Sequence, residues 1–214
     1  WLTKKNEFLP ADRQVDPQVA GECRYVENDE LRYSLRSVEK YAPWIRRIYL
    51  VTDDQTPAWL DTSNPRVRVV SHREIMPAEI LPVFSSTVIE WFLPYIPDLA
   101  EHFLYANDDM FFSRPVDPGF FFDRQGRPIV RLKVQSLKKH DDDIYCHMIL
   151  RMQNLVRERY GRCSSLAPHH NVDAYRRSDF LECCEIFQAD LEHTKHARFR
   201  SRDDWQRALV LYYA

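Results

Sequence analysis

Two consecutive carboxylates, Asp108 and Asp109, follow a short apolar segment in the stretch FLYANDDMFF (103–112). Hard divalent cations such as Mg²⁺ and Mn²⁺ prefer oxygen ligands, and they often enter a site together with a diphosphate substrate. The pair therefore predicts a metal site that holds a phosphorylated substrate. The alternative is an Asp-Asp turn that caps a helix or lies in a solvated loop, because an acidic pair alone is a weak motif.

A histidine pair further along the chain could supply a general base. His169 and His170 are adjacent, and an imidazole titrates near neutral pH, so either side chain could accept a proton from an attacking hydroxyl. A loop pair, or a histidine whose hydrogen bonds are satisfied in the core, is the more common meaning of this pattern. The charged stretch KKHDDD (138–143) is interpreted as a surface loop.

Three arginines alternate in the stretch ARFRSRDD (197–204). In an extended chain, Arg198, Arg200 and Arg202 would lie on one face. Three guanidinium groups on one face suit a diphosphate, because arginine binds phosphate in a bidentate manner. The alternative is a solvated charged loop in front of a helix, which is the commoner meaning of such a run.

The composition excludes several classes of protein. The 214 residues are 44% hydrophobic and 13% aromatic, which is typical of a folded globular chain. No apolar run approaches the roughly 18 residues of a membrane helix, and a net charge of -2 gives no basic field for nucleic acid. The four glycines are spaced too widely for a nucleotide-binding glycine loop. Five cysteines without a CxxC pair favour a reducing cytosol.

Helix-like and strand-like segments alternate along the chain. Apolar spacing predicts helices at 29–41, 84–93, 144–160, 178–187 and 203–213. Short β-rich runs predict strands at 47–52, 67–71 and 102–106. This alternation predicts an α/β layered domain with a mainly parallel sheet. Ligands bind such sheets at the carboxyl ends of the strands, where the sequence has Asp53, Asp54, Ser71, His72 and Asn107 to Asp109.

Two of the predicted helices have recognisable ends. Gly161 follows the 144–160 segment and is expected to terminate that helix. Ser201 and Asp204 have the spacing of a capping box, which predicts the start of the 203–213 helix.

Three longer segments carry a resemblance to a known family. They are NDELRYSLRSVEKYAPWIRRIYLVTDDQTPAWLDTSNPRVRVVSH (28–72), LPVFSSTVIE (81–90) and FLYANDDMFFSRPV (103–116). Together they closely resemble the second signature region of the Stealth family, and the stretch from His170 to Ala214 resembles its third region. The family includes bacterial capsular polysaccharide phosphotransferases and the animal N-acetylglucosamine-1-phosphotransferase.

The resemblance implies sugar-1-phosphate transfer. In this reaction an acceptor hydroxyl attacks the β-phosphate of a nucleotide-sugar, a phosphodiester forms, and a nucleoside monophosphate such as UMP leaves. The resemblance also implies a GT-A-like (Rossmann-like) fold and dependence on Mg²⁺ or Mn²⁺. The family's first region, a YTWVDG-like strand and loop, and its fourth region have no counterpart in the sequence. Residues 1–214 are therefore expected to be one catalytic domain, as a fragment of a longer protein.

The resemblance implies roles for individual residues. Asp108 and Asp109 match the acidic pair expected near the metal and the donor diphosphate, and Asp109, His170 and Arg200 are the expected catalytic residues. The family continues its histidine motif with Pro and His, whereas residues 171–173 here are Asn, Val and Asp, so His169 stays an alternative to His170. The residues that match the donor-pocket segments are Arg24, Asn28, Glu30, Ser34, Arg36, Ser85, Ser86, Glu90 and Asn107.

The expected function is the synthesis of a phosphodiester-linked capsular or other cell-surface polysaccharide from a nucleotide-sugar donor and a glycan acceptor. One alternative is a GT-A glycosyltransferase, which would attack the anomeric carbon and release UDP. The other is a degenerate domain that binds a nucleotide-sugar or a glycan without catalysis. We expect a cytoplasmic location, with peripheral association at the inner face of the bacterial membrane as an option. The sequence identifies neither the sugars nor the oligomeric state.

Overall fold

Helices and short strands alternate over the residues that the computed structural model describes, namely 2–9, 16–26, 28–135, 143–205 and 207–214. The α-helices are α1 (Leu2–Glu7), α2 (Pro17–Ala20), α3 (Glu30–Tyr41), α4 (His72–Ile75), α5 (Ser86–Phe92), α6 (Ile144–Tyr160), α7 (Arg177–Ile186), α8 (Gln188–Lys195) and α9 (Ala208–Tyr213). The strands are β1 (Ile48–Thr52), β2 (Val67–Ser71), β3 (His102–Tyr105), β4 (Leu132–Lys133), β5 (Ala167–Pro168) and β6 (Asp173–Arg176). This mixture of helices and strands is consistent with the predicted α/β class.

The strands form three separate pairs within the described residues. β1 and β2 run parallel, with Ile48 opposite Val67 and Thr52 opposite Ser71, whereas the β3–β6 and β4–β5 pairs are antiparallel. The prediction of a mainly parallel sheet is therefore wrong for this part of the chain. Apolar patterning reveals a strand but not its direction. β6 reaches β3 after β4, α6 and β5, and not through a single helical crossover of the kind that makes neighbouring strands parallel.

The ends of α6 show why local signals located most elements well. The Asp143 side chain accepts a hydrogen bond from the Tyr145 amide at 2.8 Å and so caps the start of the helix. Gly161 ends the helix in the left-handed region, with φ 71°. Both ends of α6 agree with the prediction, and α3, α5, α7 and β1 to β3 lie within two residues of theirs.

The last helix departs from its prediction, because α9 begins at Ala208. Ser201 and Asp204 do form the expected contact, with the Ser201 amide 2.8 Å from Asp204 Oδ2. Asp204 is fully buried, and its carboxylate closes a turn at this point of the chain. The capping-box prediction of the helix start is therefore wrong, although the hydrogen bond itself is real.

The hydrophobic core lies between α5, α6, α7 and α9. Val88 and Phe92 on α5 are buried there. Trp91 meets Phe180 edge-on with ring centroids 5.8 Å apart. Full burial of one large apolar side chain contributes about 1.5–3 kcal/mol. The remaining large members of this core include Ile149, Met152, Val156, Tyr175, Phe187 and Leu211.

α3 turns its apolar face toward a cavity. Leu31, Leu35 and Val38 are spaced so that they share one face of the helix, but all three are only half-buried. They line a cavity of about 2060 Å³, and every residue of β1 and of β3 also borders it. Within the described residues, β1 pairs only with β2 and β3 pairs only with β6. One edge of each strand is therefore unpaired next to this space.

Candidate active site

Polar residues from distant parts of the chain meet at this cavity. Its volume exceeds the roughly 300–1,000 Å³ of an ordinary small-molecule pocket. The residues predicted from the sequence that line it are Arg24, Glu30, Ser34, Ser86, Glu90, Asn107, Asp108, Asp109, His170 and Arg200. One ligand could contact acidic, basic and hydroxyl groups in this arrangement.

The acidic pair lies directly after β3. The Tyr105 hydroxyl donates to Asn107 Oδ1 at 2.9 Å and so fixes the residue in front of the pair. Partial burial, with the negative charges of Asp109 and Glu30 adding to it, raises the pKa of the Asp108 carboxyl. A nearby cation would relieve this mutual repulsion.

The chemistry of this donor set fits a divalent cation that arrives with its substrate. Within the described residues, no three His, Cys, Asp or Glu side chains converge as a complete metal-binding cluster. Mg²⁺ is commonly bound through one or two carboxylates plus substrate phosphates, so a pair is sufficient for that mode. Asp108 and Asp109 are the residues that would hold the ion.

The two adjacent histidines have different surroundings. His170 lines the cavity, and burial and the positive charge of Arg207 lower its pKa, with the negative charge of Asp109 opposing them. His169 is not among the cavity-lining residues, and its backbone amide donates to the Arg131 carbonyl at 3.0 Å. The imidazole that borders the cavity is therefore that of His170, and its surroundings disfavour the charged form.

Two arginines form the basic part of the cavity. The Arg200 guanidinium donates to Ser86 Oγ at 2.5 Å. Burial, followed by the positive charge of Arg24, lowers the pKa of Arg200, and both arginines line the cavity. Like charges held together favour an anion between or beside them. A phosphate group is an anion of suitable charge and shape for two guanidinium groups.

The alternating arginines do not share one face, so that prediction is wrong. Arg198 lies over the Phe8 ring at 4.7 Å, and Arg202 contacts His147 at 3.3 Å. Residues 198–202 are not in a strand. Their side chains therefore do not alternate between two faces, as the prediction for an extended chain assumed. Arg200 is the member of the three that lines the cavity. The KKHDDD stretch falls largely outside the described residues.

Three predicted donor-pocket residues lie away from the cavity lining. The Asn28 side chain donates to Glu30 Oε1 at 3.1 Å and lies at the surface. Arg36 is exposed, with its guanidinium 5.9 Å from the Tyr33 ring centre. Ser85 is 1% exposed and its Oγ has no hydrogen-bond partner. These three residues are therefore not part of the cavity lining, and Asn28 reaches it only through its bond to Glu30.

The side chains that follow β1 and end β2 form mainly structural contacts. Asp53 is buried and forms an ion pair with Lys4. Asp54 accepts from the Ser71 hydroxyl at 2.5 Å and from Arg73 Nε at 2.9 Å. These bonds occupy the Asp53 and Asp54 carboxylates, although Asp53 and His72 also border the cavity.

The cavity also contains Arg207, a charged residue that the sequence did not single out. Arg207 is 3% exposed and pairs with the buried Asp173. The Tyr175 hydroxyl donates to the buried carboxylate of Glu90 at 3.1 Å. Burial raises the pKa of Glu90, and the positive charge of Arg207 opposes that effect. In the sequence, the one feature that distinguishes Arg207 is its position as a charged residue directly in front of the apolar run ALVLYY.

The fold and the site together define a mixed α/β protein with a cavity lined by carboxylate, guanidinium and imidazole groups. Comparison with known proteins agrees with this class. The family model for conserved region 2 of Stealth proteins matches residues 24–130. The chain therefore belongs to the Stealth family, as its sequence motifs predicted.

Individual relatives extend this similarity over most of the chain. The capsular polysaccharide phosphotransferase LcbA of Aeromonas hydrophila is 42% identical over 189 residues, covering 85% of this chain and 51% of the relative. An exopolysaccharide phosphotransferase of Streptomyces coelicolor is 41% identical over 202 residues, covering 91% and 37%. The exopolysaccharide phosphotransferase cps2G of Lactiplantibacillus plantarum is 32% identical over 243 residues, covering 100% and 70%. The chain thus spans about half of the first relative and little more than a third of the second.

Among the residues that the structure describes, no helix has the length and apolar character needed to cross a membrane.

Proposed function

We propose that this chain transfers a sugar-1-phosphate from a nucleotide-sugar, UDP-linked, to a hydroxyl of an acceptor glycan in the synthesis of a cell-surface polysaccharide. The observation that carries the proposal is the meeting of Asp108, Asp109, His170 and Arg200 at one cavity. The relatives named capsular and exopolysaccharide phosphotransferases support the same reaction class.

The proposed reaction balances with these residues in named roles. The acceptor oxygen attacks the β-phosphorus, and His170 takes the hydroxyl proton. The bond between the β-phosphorus and the oxygen that bridges to the α-phosphate breaks, and UMP leaves with that oxygen. Arg200 neutralises charge on the transferring group. A bound Mg²⁺ or Mn²⁺ on Asp108 and Asp109 would further neutralise the diphosphate.

Phosphoryl transfer suits this set of groups. It depends on charge neutralisation and in-line positioning more than on covalent chemistry by the protein. The lowered pKa of His170 favours the neutral imidazole, which is the form that can accept a proton. Because His169 does not line the cavity, the structure supports His170 as the base in the proposed mechanism.

We also propose that residues 1–214 are one catalytic domain within a longer protein. The relatives extend well beyond the matched region. The cavity is larger than a small ligand needs, and the unpaired edges of β1 and β3 border it. A further strand could pair with both edges and narrow this space to the size of a donor pocket, in a layout like that of GT-A transferases.

The released nucleotide tests the reaction. The longer protein would be incubated with UDP-sugars, Mg²⁺ and a glycan primer. Attack at phosphorus releases UMP and supports the proposal. Attack at the anomeric carbon releases UDP and would identify a glycosyltransferase instead. Donor binding without release of either nucleotide would identify a binding domain.

The cell location follows from the chemistry that we propose. Nucleotide-sugars are cytoplasmic donors, so we place the protein in the cytoplasm, at the inner face of the bacterial membrane where the polysaccharide is assembled. Fractionation of cells that express the longer protein tests this placement.

A further inference from the structure

Arg207 combines a buried charge with an unfavourable backbone conformation. Its side chain is 2% exposed, and its backbone has φ 56° and ψ 30° directly in front of α9. Within the described residues, the other non-glycine residues with positive φ are Asp29, Asp54 and Asp98. Aspartate enters the left-handed region far more readily than arginine. The backbone conformation at position 207 is therefore unusual for the residue type that occupies it.

Stability alone does not explain the arrangement around Arg207. Its guanidinium donates to Asp173 Oδ2, whereas its Nε is buried without a hydrogen-bond partner. Replacing a buried ion pair by apolar residues is often neutral or stabilising. Backbone strain that survives in a fold clusters at functional sites, which makes a functional role the more informative explanation.

Asp173 links Arg207 to the loop that carries His170. Asp173 begins β6, three residues after His170. One carboxylate oxygen accepts from Arg207, and the other lies 3.2 Å from the Asn171 amide nitrogen in the orientation that satisfies this amide. The chain of contacts from Arg207 through Asp173 to Asn171 ends at the residue next to His170. Arg207 and His170 also line the same cavity.

We propose that Arg207 is a positioning residue that holds the His170 loop in its working orientation through Asp173. This inference rests on the proposed function of His170 as the base. Displacement of a catalytic group by about 1 Å can reduce the rate on the order of a hundredfold. Loss of Arg207 should therefore reduce turnover much more than donor binding.

The test compares variants of the Arg207–Asp173 ion pair with a variant of the distant Arg68–Glu74 ion pair. Arg207→Met alone would leave Asp173 as an unpaired buried charge and could prevent folding. The double variant Asp173→Asn/Arg207→Met removes both charges, and Arg207→Lys keeps a donor for Asp173. Arg68→Met/Glu74→Gln is the matched control, because this pair (2.8 Å) lies outside the cavity.

Four measurements distinguish positioning from general structural support. Unfolding curves establish which variants fold, titration with UDP and Mg²⁺ gives nucleotide affinity, and initial rates give kcat and KM. NMR adds a readout that does not depend on activity. The ring resonances of His170 are identified by their loss in His170→Ala, and those of the buried His72 serve as an internal reference.

We expect the double variant to fold, to bind UDP within about twofold of wild type, and to lose at least about tenfold in kcat. Its His170 resonances should shift or broaden while those of His72 stay unchanged, and Arg207→Lys should recover part of the rate. Unchanged kcat and unchanged His170 resonances would overturn the inference. So would parallel losses in stability, affinity and rate. If the wild type released no nucleotide, the proposed function would fail, and the His170 resonances would still decide whether Arg207 positions the loop.

Discussion

At the scale of single residues, the acidic pair Asp108–Asp109 makes the most direct prediction. If this pair holds the cation, Asp109→Asn should abolish Mg²⁺-dependent binding of the nucleotide-sugar, because an amide is a much poorer ligand for a hard cation than a carboxylate. Titration calorimetry with and without Mg²⁺ measures the effect. Asp54→Asn is the matched control, since Asp53–Asp54 is a second acidic pair after a strand but Asp54 is already bonded to Arg73. If Asp109→Asn bound the nucleotide-sugar in the presence of Mg²⁺ as tightly as Asp54→Asn does, the metal role of the pair would be rejected.

The histidine pair makes a second prediction, for turnover. His170→Ala should lose at least about a hundredfold in kcat, the usual contribution of a general base, and keep its affinity for the donor. His169→Ala, which changes a residue outside the cavity lining, should stay near wild type. If His169→Ala were the inactive variant, the base would have been assigned to the wrong histidine.

The pH dependence follows from the same residue. Burial and Arg207 lower the folded pKa of His170, so the imidazole stays neutral to a lower pH than free histidine, whose pKa is about 6.5. On acidification, the activity should therefore begin to decrease only below about pH 6.5. The acid limb of the kcat/KM profile measures this pKa, because kcat/KM follows the ionisations of the free enzyme. An acid limb that lies above that value would contradict the proposed environment of the base.

Arg200 makes a prediction about the transition state. Arg200→Lys keeps the positive charge but loses the planar fork that binds two phosphate oxygens. We expect kcat to fall more than donor affinity, because the charge on the transferring group is greatest in the transition state. Arg202→Lys is the control, since Arg202 contacts His147 outside the cavity lining. A loss confined to donor affinity would assign Arg200 to ground-state binding.

At the scale of secondary-structure elements, local chemistry explains what could be predicted from the sequence. Asp143 and Gly161 bound α6 through a side-chain cap and a positive φ, and both signals act within one turn of the helix. The direction of β6 depends on a connection that passes through three other elements, so no local pattern encodes it. The cavity was only partly predictable for the same reason. Its acidic pair follows a strand directly, whereas Arg207 reaches Asp173 from 34 residues away.

The end of α6 gives an element-scale prediction. Gly161 has φ 71°, a conformation that costs an alanine about 1–2 kcal/mol even though its added methyl group would meet nothing within 4 Å. Gly161→Ala should therefore lower the free energy of unfolding by about that amount. Gly119→Ala is the matched control, because it has equal space and no positive φ. Urea unfolding of both variants measures the difference, and equal stabilities would show that the helix end relaxes without strain.

At the scale of the whole molecule, the cavity separates two pairs of strands that a continuous sheet would join. The apolar residues of β1 and of α3 that border it are only half-buried. Burial of apolar area drives folding at about 25 cal/mol per Å², so this surface favours being covered. The proposed additional strand would cover it and would shape the donor site at the same time. The uncovered apolar surface thus accounts both for the size of the cavity and for the proposed completion of the domain by a further strand.

Hydrogen exchange tests that completion directly. An amide on an unpaired strand edge exchanges readily, whereas one that bonds to a neighbouring strand is protected. We expect slower exchange for Ile48–Thr52 and His102–Tyr105 in the longer protein than in the 214-residue chain. The amides of α6 bond within their own helix and should exchange equally in both. Equal exchange at β1 and β3 would mean that nothing pairs with their open edges, and the large cavity would then have to be filled by the substrates themselves.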